Sequence, residues 1–310
     1  MSAQQQVSQA VAQGGDQQRL AMLERLVRRL HANNSVAVII LSIVTALVTI
    51  LFVGIIALIL VQGVPYLINP DFYGSGGSGT VGQQVFNTFY ILILSEIILV
   101  PIALSAAIYL IEYAPQGRLV TAIHFAAETL AGVPSLVLGL FGYLIFSTFF
   151  GFHISRLSGA LTLLCLNFPL ALRLFEDALA SVPRELREGG LALGSTKWHT
   201  IATVVLPSAL PGIITGIILS AGKIIGEAAA LIFTMGSTNP LNVYTLNPFI
   251  GSDNLTIHIW YLKTSGGGVT GQVANAVSSG SAALLVLILL VINVGARGLG
   301  RFIERRITAA

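Results

Sequence analysis

The sequence predicts an all-α polytopic membrane protein with six transmembrane helices, and three observations support this prediction. The 310-residue chain is 55% hydrophobic and only 9% charged, with a mean hydropathy of +0.85, whereas soluble globular domains carry about 25% charged residues. Six apolar runs approach or exceed the roughly 20 helical residues that cross a bilayer core. The single cysteine, Cys165, has no disulfide partner, so packing must hold the fold.

The candidate spans cover residues 36–61, 85–111, 133–150, 157–179, 211–235 and 282–303. The third span is the least regular, because His124, Glu128 and Pro134 precede or interrupt its apolar run. Proline ends or kinks a helix, so the sequence predicts an amphipathic or gating helix at 117–131 and a span that lies mostly after Pro134. One long kinked helix is the alternative.

Two loops on one side of the membrane, residues 65–84 and 237–279, are rich in Gly, Ser, Asn and Pro. This composition predicts flexible, exposed segments. For the glycine runs within them, disorder is favoured over a partner-binding surface.

The basic residues predict the orientation in the membrane. Twelve of the 16 Lys and Arg residues fall on one side, whereas Arg156 and Lys263 fall on the other, and Arg173 and Lys223 lie inside spans. The twelve are Arg19, Arg25, Arg28, Arg29, Arg118, Arg184, Arg187, Lys197, Arg297, Arg301, Arg305 and Arg306. Because cytoplasmic loops carry the excess of Lys and Arg, both termini are expected in the cytoplasm.

The N-terminal residues 1–35 are expected to form a cytoplasmic tail, followed by a membrane domain at 36–305. The polar start of the chain predicts no cleavable signal peptide, so the first span would be the insertion signal. The tail contains apolar residues that share one helical face: Leu20, Leu23, Val27 and Leu30. This pattern favours an amphipathic helix on the anionic membrane surface.

The loop between the fourth and fifth spans contains the stretch RELREGGLALGSTKWHTIATVVLP. A short cytoplasmic helix is predicted at about 183–196, with Ser181 as its N-cap, Pro183 near its first turn and Gly194 at its end. Its leucines are typical of a helix that inserts into a groove on another protein, with a polar rim around them.

The spacing within this loop resembles the EAA motif of ABC-importer permeases. Glu188, Gly189, Gly190 and Gly194 are followed, nine residues later, by VVLP ending at Pro207. In that family the loop is a coupling helix that docks in a cleft of the ATP-binding subunit. The resemblance implies a set of ATPase contacts: Arg187, Glu188, Gly190, Gly194, Lys197 and Trp198.

The two glycines stand where the family has alanines, which costs about 1 kcal/mol of helix stability each. The sequence therefore predicts a more pliable coupling helix. A Walker A loop needs Gly-Lys followed by Ser or Thr, but Lys223, which alone of the three lysines follows a glycine, precedes Ile224. Any ATPase must therefore be a separate polypeptide.

Several charged residues fall inside predicted spans, where each costs roughly 2.5 to 3.5 kcal/mol on insertion scales. Lys223 and Glu227 are spaced i, i+4, so they either pair on one helix face or line a path for an anion. Arg173 and Glu176, with Asp177 beside them, form a second set near the cytoplasmic end of span four. For Arg173, extension to the membrane interface is the alternative to a place on the path.

Two further carboxylates, Glu96 and Glu128, lie in apolar surroundings. They are expected to be neutral hydrogen-bonded groups or interhelical partners of Lys223 and Arg173, and neither is assigned a role on the path. No catalytic residue, bound cofactor or metal site is expected, because the five histidines are scattered along the chain.

Longer stretches resemble the permease of the phosphate-specific ABC importer, the PstA type, over roughly residues 85–300. They are VPIALSAAIYLIEYAP, GVPSLVLGLFG, RLFEDALASVPRELREGGLALGSTKW and VLPSALPGIITGIILSAGKIIGEAAALIFT. The chain departs from this family at Lys223, where Arg is common, and at GEAAA, where the family has GETAP. Lysine is a point charge, whereas an arginine fork binds an oxyanion bidentately.

The resemblance implies a type I ABC importer permease with six spans in the bacterial inner membrane. Its implied partners are two copies of an ATPase subunit, a homologous C-type permease, an extracytoplasmic phosphate-binding protein and membrane lipids, but no nucleic acid. Lys223, Glu227, Arg173 and Glu176 would line the translocation path. Two alternatives stay open, a permease of the same fold for molybdate or sulfate and, with less support, a secondary transporter or channel.

Overall fold

The computed structural model describes residues 3–74, 79–115, 117–236, 244–265 and 271–308, with side chains described between residues 34 and 295 of these ranges. All regular structure in these ranges is helical. The α-helices are α1 Ala3–Leu67, α2 Gly82–Ile108, α3 Arg118–Ala131, α4 Ser135–Gly142, α5 Arg156–Ala180, α6 Arg184–Ala192, α7 Lys197–Thr200, α8 Leu206–Gly226, α9 Leu231–Thr234, α10 Leu255–Ser265 and α11 Gly271–Thr308. The predicted all-α class is confirmed.

Wider, π-helical turns extend three of these helices. Tyr109–Tyr113 continues α2, Tyr143–Phe149 continues α4, and Ile201–Val205 joins α7 to α8. A 3₁₀ turn at Pro70–Tyr73 follows α1. The end of α2, which contains Glu112, and the segment between α7 and α8 therefore each include a turn whose backbone hydrogen bonds follow the wider π-helical pattern.

The chain divides into two compact units, residues 1–58 and 59–310. The first unit consists of most of α1, and its described apolar side chains, such as Ile50 and Leu51, are exposed as in a membrane-facing helix. The side chains of the predicted amphipathic face (Leu20, Leu23, Val27 and Leu30) and of the basic C-terminal arginines lie outside the described residues.

Within the described residues, five helical stretches are long and apolar enough to cross a membrane, and a bent pair makes a sixth. The bent pair is α3 with α4 and its extension, which meet at an angle of 101°. The break lies at Gly132–Pro134, where Pro134 directly precedes α4. With the bent pair counted as one span, the predicted six spans are present, and the separate helices on either side of Pro134 agree with the expected helix at 117–131 followed by an apolar segment after the proline rather than with one long kinked helix.

Close packing of α2, α5 and α8 builds the core of the second unit, with Ile91, Leu163 and Ile224 fully buried in it. Glycine permits two of the closest approaches. A Cβ on Gly142 would lie 2.1 Å from Oγ1 of Thr162, and one on Gly139 would lie 2.7 Å from the Cα of Ala230. Small residues thus let α4 press against α5 and against the turn before α9.

The fifth span differs from its predicted bounds. The helix begins earlier than residue 211 and ends at Gly226, and Glu227 has an extended backbone with φ −80° and ψ 124°. The chain re-enters a helical turn only at Leu231. Apolar composition continues across this break, which is why the hydropathy pattern predicts one continuous span to 235.

Part of the segment predicted to be flexible and exposed at 237–279 is buried or helical. Ser252, Asp253 and Asn254 are almost completely buried, and α10 together with the start of α11 follows them. The glycine runs at 75–78 and 266–270 lie outside the described residues, as does 237–243. The prediction of an exposed loop is therefore wrong for 252–258, which are buried, whereas 263–265 are exposed but lie at the end of helix α10.

A buried polar network explains that order. Arg156, fully buried at the start of α5, donates to Oδ1 of Asn87 at 2.7 Å and to Oγ of Ser252 at 3.0 Å. Asn87 in turn donates to the carbonyl of Asp253 at 2.8 Å, and Nδ1 of His258 lies 2.9 Å from Oδ2 of Asp253. Buried polar groups need such partners, so these residues fasten the segment to α2 and α5.

Candidate functional site

A cavity of about 490 Å³ opens between α3, α5 and α8. Its apolar lining comes from small and branched side chains, including Ala127, Leu166 and Pro169. Its charged or polar lining consists of His124, Glu128, Arg173, Glu176, Asp177 and Lys223. Three of the four predicted path residues (Arg173, Glu176 and Lys223) therefore share one cavity.

Helical spacing on α5 delivers one wall of this cavity. Arg173 and Glu176 are i, i+3 neighbours on the last turns of α5 and therefore project from the same face. Asp177 lies beside them on the cavity lining. The shared helix face predicted for Arg173 and Glu176 is consistent with both side chains lining this cavity.

A contact between α3 and α5 stands at the edge of the same cavity. Nε2 of His124 lies 3.0 Å from Oε1 of Glu176, and the two side chains are 46% and 12% exposed, respectively. Glu128, one turn after His124, lines the cavity as well. The described residues show no ion pair within 4 Å between Glu128 and either Arg173 or Lys223.

The predicted helical pair of Lys223 and Glu227 is not formed. Glu227 lies beyond the end of α8, and no ion pair within 4 Å joins it to Lys223, both of which are described. Nζ of Lys223 instead reaches the carbonyl of Leu166 on α5, at 3.4 Å. Lys223 is thus an exposed cation at the cavity with a weak backbone partner.

Glu227 has structural partners at the helix break. Its Oε1 accepts a hydrogen bond from the backbone N–H of Ala230 at 3.1 Å, and its carbonyl accepts one from Oγ1 of Thr256 at 3.0 Å. Glu227 is not among the residues that line the cavity described above. Its carboxylate caps the turn that leads into α9.

The second apolar-context carboxylate, Glu96, also has a partner other than the expected cations. Oγ of Ser220 on α8 donates to Oε1 of Glu96 at 2.6 Å, and Oε2 of Glu96 is buried without a hydrogen-bond partner among the described residues. The interaction joins α2 to α8 within the core. An interhelical hydrogen bond was one of the two expected outcomes for this residue.

The predicted coupling helix is α6, a nine-residue helix directly after α5. It begins at Arg184 after Pro183, and Ser181 does not cap it. Oγ of Ser181 instead donates to the carbonyl of Ala178 at 2.7 Å, so Ser181 belongs to the end of α5. The helix ends at Ala192, earlier than the predicted 196, because the chain turns at Gly194, and α7 begins separately at Lys197.

Gly194 ends α6 as predicted. Its φ of +82° lies in the left-handed region that favours glycine. The N–H of Gly194 bonds to the carbonyl of Leu191 at 3.0 Å, and the N–H of Ser195 bonds to the carbonyl of Gly190 at 3.3 Å. These two bonds form a Schellman motif, which satisfies the last carbonyls of the helix.

Several apolar side chains of α6, α7 and the turn between them are exposed, alongside charged residues such as Glu185 and Glu188. Leu193 is 88% and Trp198 is 60% exposed, and Leu186 and Leu191 are about half exposed. The inner face is close-packed, since a Cβ on Gly190 would lie 2.8 Å from Cγ2 of Thr200. Gly189 faces open space. The loop therefore exposes leucines and a tryptophan, while its helix packs closely against Thr200 at Gly190.

Two of the predicted ATPase contacts are engaged within the chain. Nε of Arg187 lies 2.9 Å from Oε1 of Glu112, at the end of the π-helical extension of α2. Nζ of Lys197 donates to the carbonyl of Glu112 and lies 4.9 Å from the ring centroid of Tyr113. Glu188, by contrast, is exposed.

Sequence reasoning missed His124 and Glu112 as members of these sites. A signal for His124 exists in the i, i+4 spacing of His124 and Glu128 on an amphipathic helix. Glu112 carries no comparable local signal, because its partner Arg187 lies 75 residues further along the chain.

Solved structures identify the fold. In the inward-facing MetNI methionine ABC transporter, a chain aligns with a TM-score of 0.58 over 72% of this chain and 95% of that chain, at 20% sequence identity. The fold is therefore that of a type I ABC importer permease.

Residues 99–309 match the family of binding-protein-dependent transport system inner membrane components, and the chain belongs to that family. A probable ABC transporter permease protein, YqgI of Bacillus subtilis (strain 168), is 38% identical over 278 residues, which cover 85% of this chain and 94% of the relative. The phosphate transport system permease protein PstA 1 of Mycobacterium tuberculosis (strain ATCC 25618 / H37Rv) is 33% identical over 216 residues, which cover 67% of this chain and 70% of the relative. The resemblance to PstA-type permeases is confirmed.

Proposed function

We propose that the chain is the permease subunit of an ATP-driven importer that moves inorganic phosphate across the bacterial inner membrane. The observation that carries the proposal is the cavity in which Arg173 and Lys223 meet. Two fixed cations replace part of the hydration that an anion loses inside the membrane. Relatives named as phosphate transport permeases support the same substrate.

The carboxylates in the cavity favour phosphate over other tetrahedral oxyanions. Glu128, Glu176 and Asp177 share the lining with the two cations. A carboxylate accepts a hydrogen bond from an anion that keeps a proton, as phosphate does near neutral pH, but repels sulfate or molybdate, which carry none. The mixed lining also prevents tight binding, and loose binding permits turnover.

Glu227 is assigned a structural part in this proposal. Its carboxylate caps the turn before α9, whereas Arg173, Lys223 and Glu176 line the path. Arg173 would bind the oxyanion through its planar fork, and Lys223 would act as a point charge on the facing helix. Glu176 would accept a hydrogen bond from the protonated oxygen of phosphate.

The movement that drives transport would come from a partner protein that binds α6. The exposed leucines of α6 and Trp198 suit a cleft on an ABC ATPase subunit, present in two copies, with Glu188 on the polar rim. A second, C-type permease would complete the path, and an extracytoplasmic phosphate-binding protein would deliver the substrate. The asymmetry of Lys and Arg supports cytoplasmic termini and hence a cytoplasmic α6.

Proteoliposomes with the assembled complex test the proposal. They would contain ATP inside and the phosphate-loaded receptor outside, and uptake of radiolabelled phosphate would be measured with and without excess sulfate or molybdate. We expect ATP-dependent uptake that neither competitor reduces. Uptake of sulfate or molybdate would favour the other oxyanion permease, and uptake without ATP would favour a secondary transporter.

A matched pair of variants links the result to the cavity. Arg173→Gln should lose uptake, because the cavity then lacks its fork-shaped cation. Arg118→Gln removes the same charge from the exposed first turn of α3, outside the cavity lining, and should transport normally.

A further inference from the structure

Arg187 lies where three parts of the chain meet. All three of its guanidinium nitrogens are bonded within the chain: Nε to Glu112 at 2.9 Å, Nη1 to the carbonyl of Val182 at 2.6 Å and Nη2 to the carbonyl of Leu179 at 2.7 Å. The side chain is 19% exposed and that of Glu112 is 8% exposed. With each of its three nitrogens bonded inside the chain, this guanidinium is oriented toward its own chain rather than toward a partner protein.

The two carbonyls belong to the end of α5. Leu179 lies in its last turn, where its carbonyl also accepts from the N–H of Val182 at 3.2 Å, and Val182 lies just beyond the helix. A cation at this end is also favoured by the helix dipole. Arg187, which stands in the middle of α6, therefore joins the coupling helix to the final turn of α5 by two charge-assisted hydrogen bonds.

That final turn leads directly into the wall of the cavity. Glu176 and Asp177 line the cavity, and Leu179 follows Asp177 by two residues on the same helix. A displacement of α6 that acts through Arg187 therefore reaches the charged wall within one helical turn. Glu112 fixes the third nitrogen and extends the link to α2, which packs along α5 in the core.

We infer that Arg187, held by Glu112, is a positioning residue that transmits movement of the coupling helix to the charged end of α5 and to α2. The ion pair is short, nearly buried and geometrically constrained, so α6 cannot shift without either carrying these two helices along or breaking the contact. The inference rests on the proposed function, because it requires an ATPase that moves α6.

The test measures coupling rather than activity alone. The reconstituted complex with the wild-type chain, with Glu112→Gln and with Arg187→Lys would be compared for phosphate taken up per ATP hydrolysed, for basal ATP hydrolysis and for thermal stability. Glu112→Gln keeps the bonds of Arg187 to α5 but removes the charge that fixes it. Arg187→Lys keeps the charge but loses the fork that bonds both helices.

We expect both variants to assemble with the ATPase and hydrolyse ATP, while the phosphate-to-ATP ratio falls about 5-fold or more, the lower range of allosteric coupling between sites. Glu185→Gln is the matched control, since it removes an exposed carboxylate from the same helix and should leave the ratio unchanged. If one variant fails to fold, the other carries the test.

Two outcomes would overturn distinct parts of the account. A wild-type complex without ATP-driven uptake would overturn the proposed function itself. A wild-type complex that transports normally, alongside variants that lose thermal stability but keep the wild-type ratio, would overturn only the positioning role and leave the Glu112–Arg187 pair a structural contact.

Discussion

Nε2 of His124 lies 3.0 Å from Oε1 of Glu176, and this contact joins the amphipathic helix α3 to the cavity wall on α5. Helix α3 lies before the 101° bend of the third span. The contact therefore fixes one side of the cavity to a helix that would otherwise be held mainly by apolar packing, and it orients a carboxylate of the proposed path.

Removing this contact should reduce uptake more than stability. Because His124 is nearly half exposed, His124→Leu should lower the free energy of unfolding by only about 1 kcal/mol. Phosphate uptake should fall because Glu176 loses the group that orients it, whereas His124→Gln, which keeps a hydrogen-bond donor, should preserve most of it. Uptake by the Leu variant at the wild-type rate would contradict this role.

Lys223→Gln should lose phosphate uptake while the complex assembles normally. The exposed ammonium has only a weak backbone partner, at 3.4 Å, so its removal leaves little unsatisfied in the fold. We expect at least a tenfold drop in uptake, equivalent to about 1.4 kcal/mol. Lys263→Gln, which removes a lysine bonded to Asn275 outside the cavity lining, is the control. Normal uptake by Lys223→Gln would remove Lys223 from the path.

Glu227 should tolerate loss of its charge but not of its hydrogen-bond acceptor. Glu227→Gln keeps an oxygen for the N–H of Ala230 and should transport normally. Glu227→Ala leaves that N–H unbonded and should destabilise the chain by about 1 kcal/mol, as for other lost helix caps. Thermal unfolding and uptake of the two variants distinguish the cases. Loss of uptake in the Gln variant would show that the carboxylate charge itself serves the path.

The glycines of α6 should differ sharply in their tolerance of substitution. Gly194→Val places a β-branched residue at φ +82°, which costs about 1 to 2 kcal/mol and disrupts the end of the coupling helix. Substrate-stimulated ATP hydrolysis, or copurification of the ATPase, should be lost. Gly189→Ala faces open space and should favour the helix by up to about 1 kcal/mol. Equal behaviour of the two variants would contradict this account.

Local sequence signals predict most helices of this fold, but not the helix ends that are set by contacts between residues distant in sequence. Apolar runs predict six spans, Pro134 marks the break in the third, and the αL requirement at the end of α6 is met by a glycine. The end of α8 at Gly226 has no such signal, because its neighbours are distant in sequence. Thr256 bonds to Glu227, and Ala230 packs on Gly139.

In the candidate site, too, local spacing predicts some features, whereas contacts between distant residues determine others. The spacing of Arg173 and Glu176 predicts a shared face, and the cavity contains both. Composition alone predicts a flexible, exposed segment at 237–279, whereas Asn87, 166 residues before Asp253, bonds to Asp253 and helps to bury it. Likewise, a basic residue on a short surface helix predicts a side chain that is free to contact a partner protein. Arg187 instead bonds to Glu112 and to carbonyls at the end of α5.

The proposal that an ATPase drives transport by moving α6 on the cytoplasmic side is tested most directly by cross-linking from Leu193, directly after this helix. A chain with Cys165→Ser and Leu193→Cys would carry one cysteine at an 88% exposed position. A benzophenone maleimide attached there would be photoactivated in the assembled complex. Leu246→Cys, 75% exposed on the side predicted to face outward, is the control.

We expect the benzophenone at position 193 to cross-link to the ATPase subunit, with a yield that changes when ATP binds. In a separate experiment on intact cells, the unmodified cysteine at position 193 should not react with a membrane-impermeant maleimide. A benzophenone at position 246 should give no cross-link to the ATPase, and an unmodified cysteine there should react from outside the cell. Labelling of position 193 from outside the cell, or no cross-link to any ATPase in an active complex, would contradict the account.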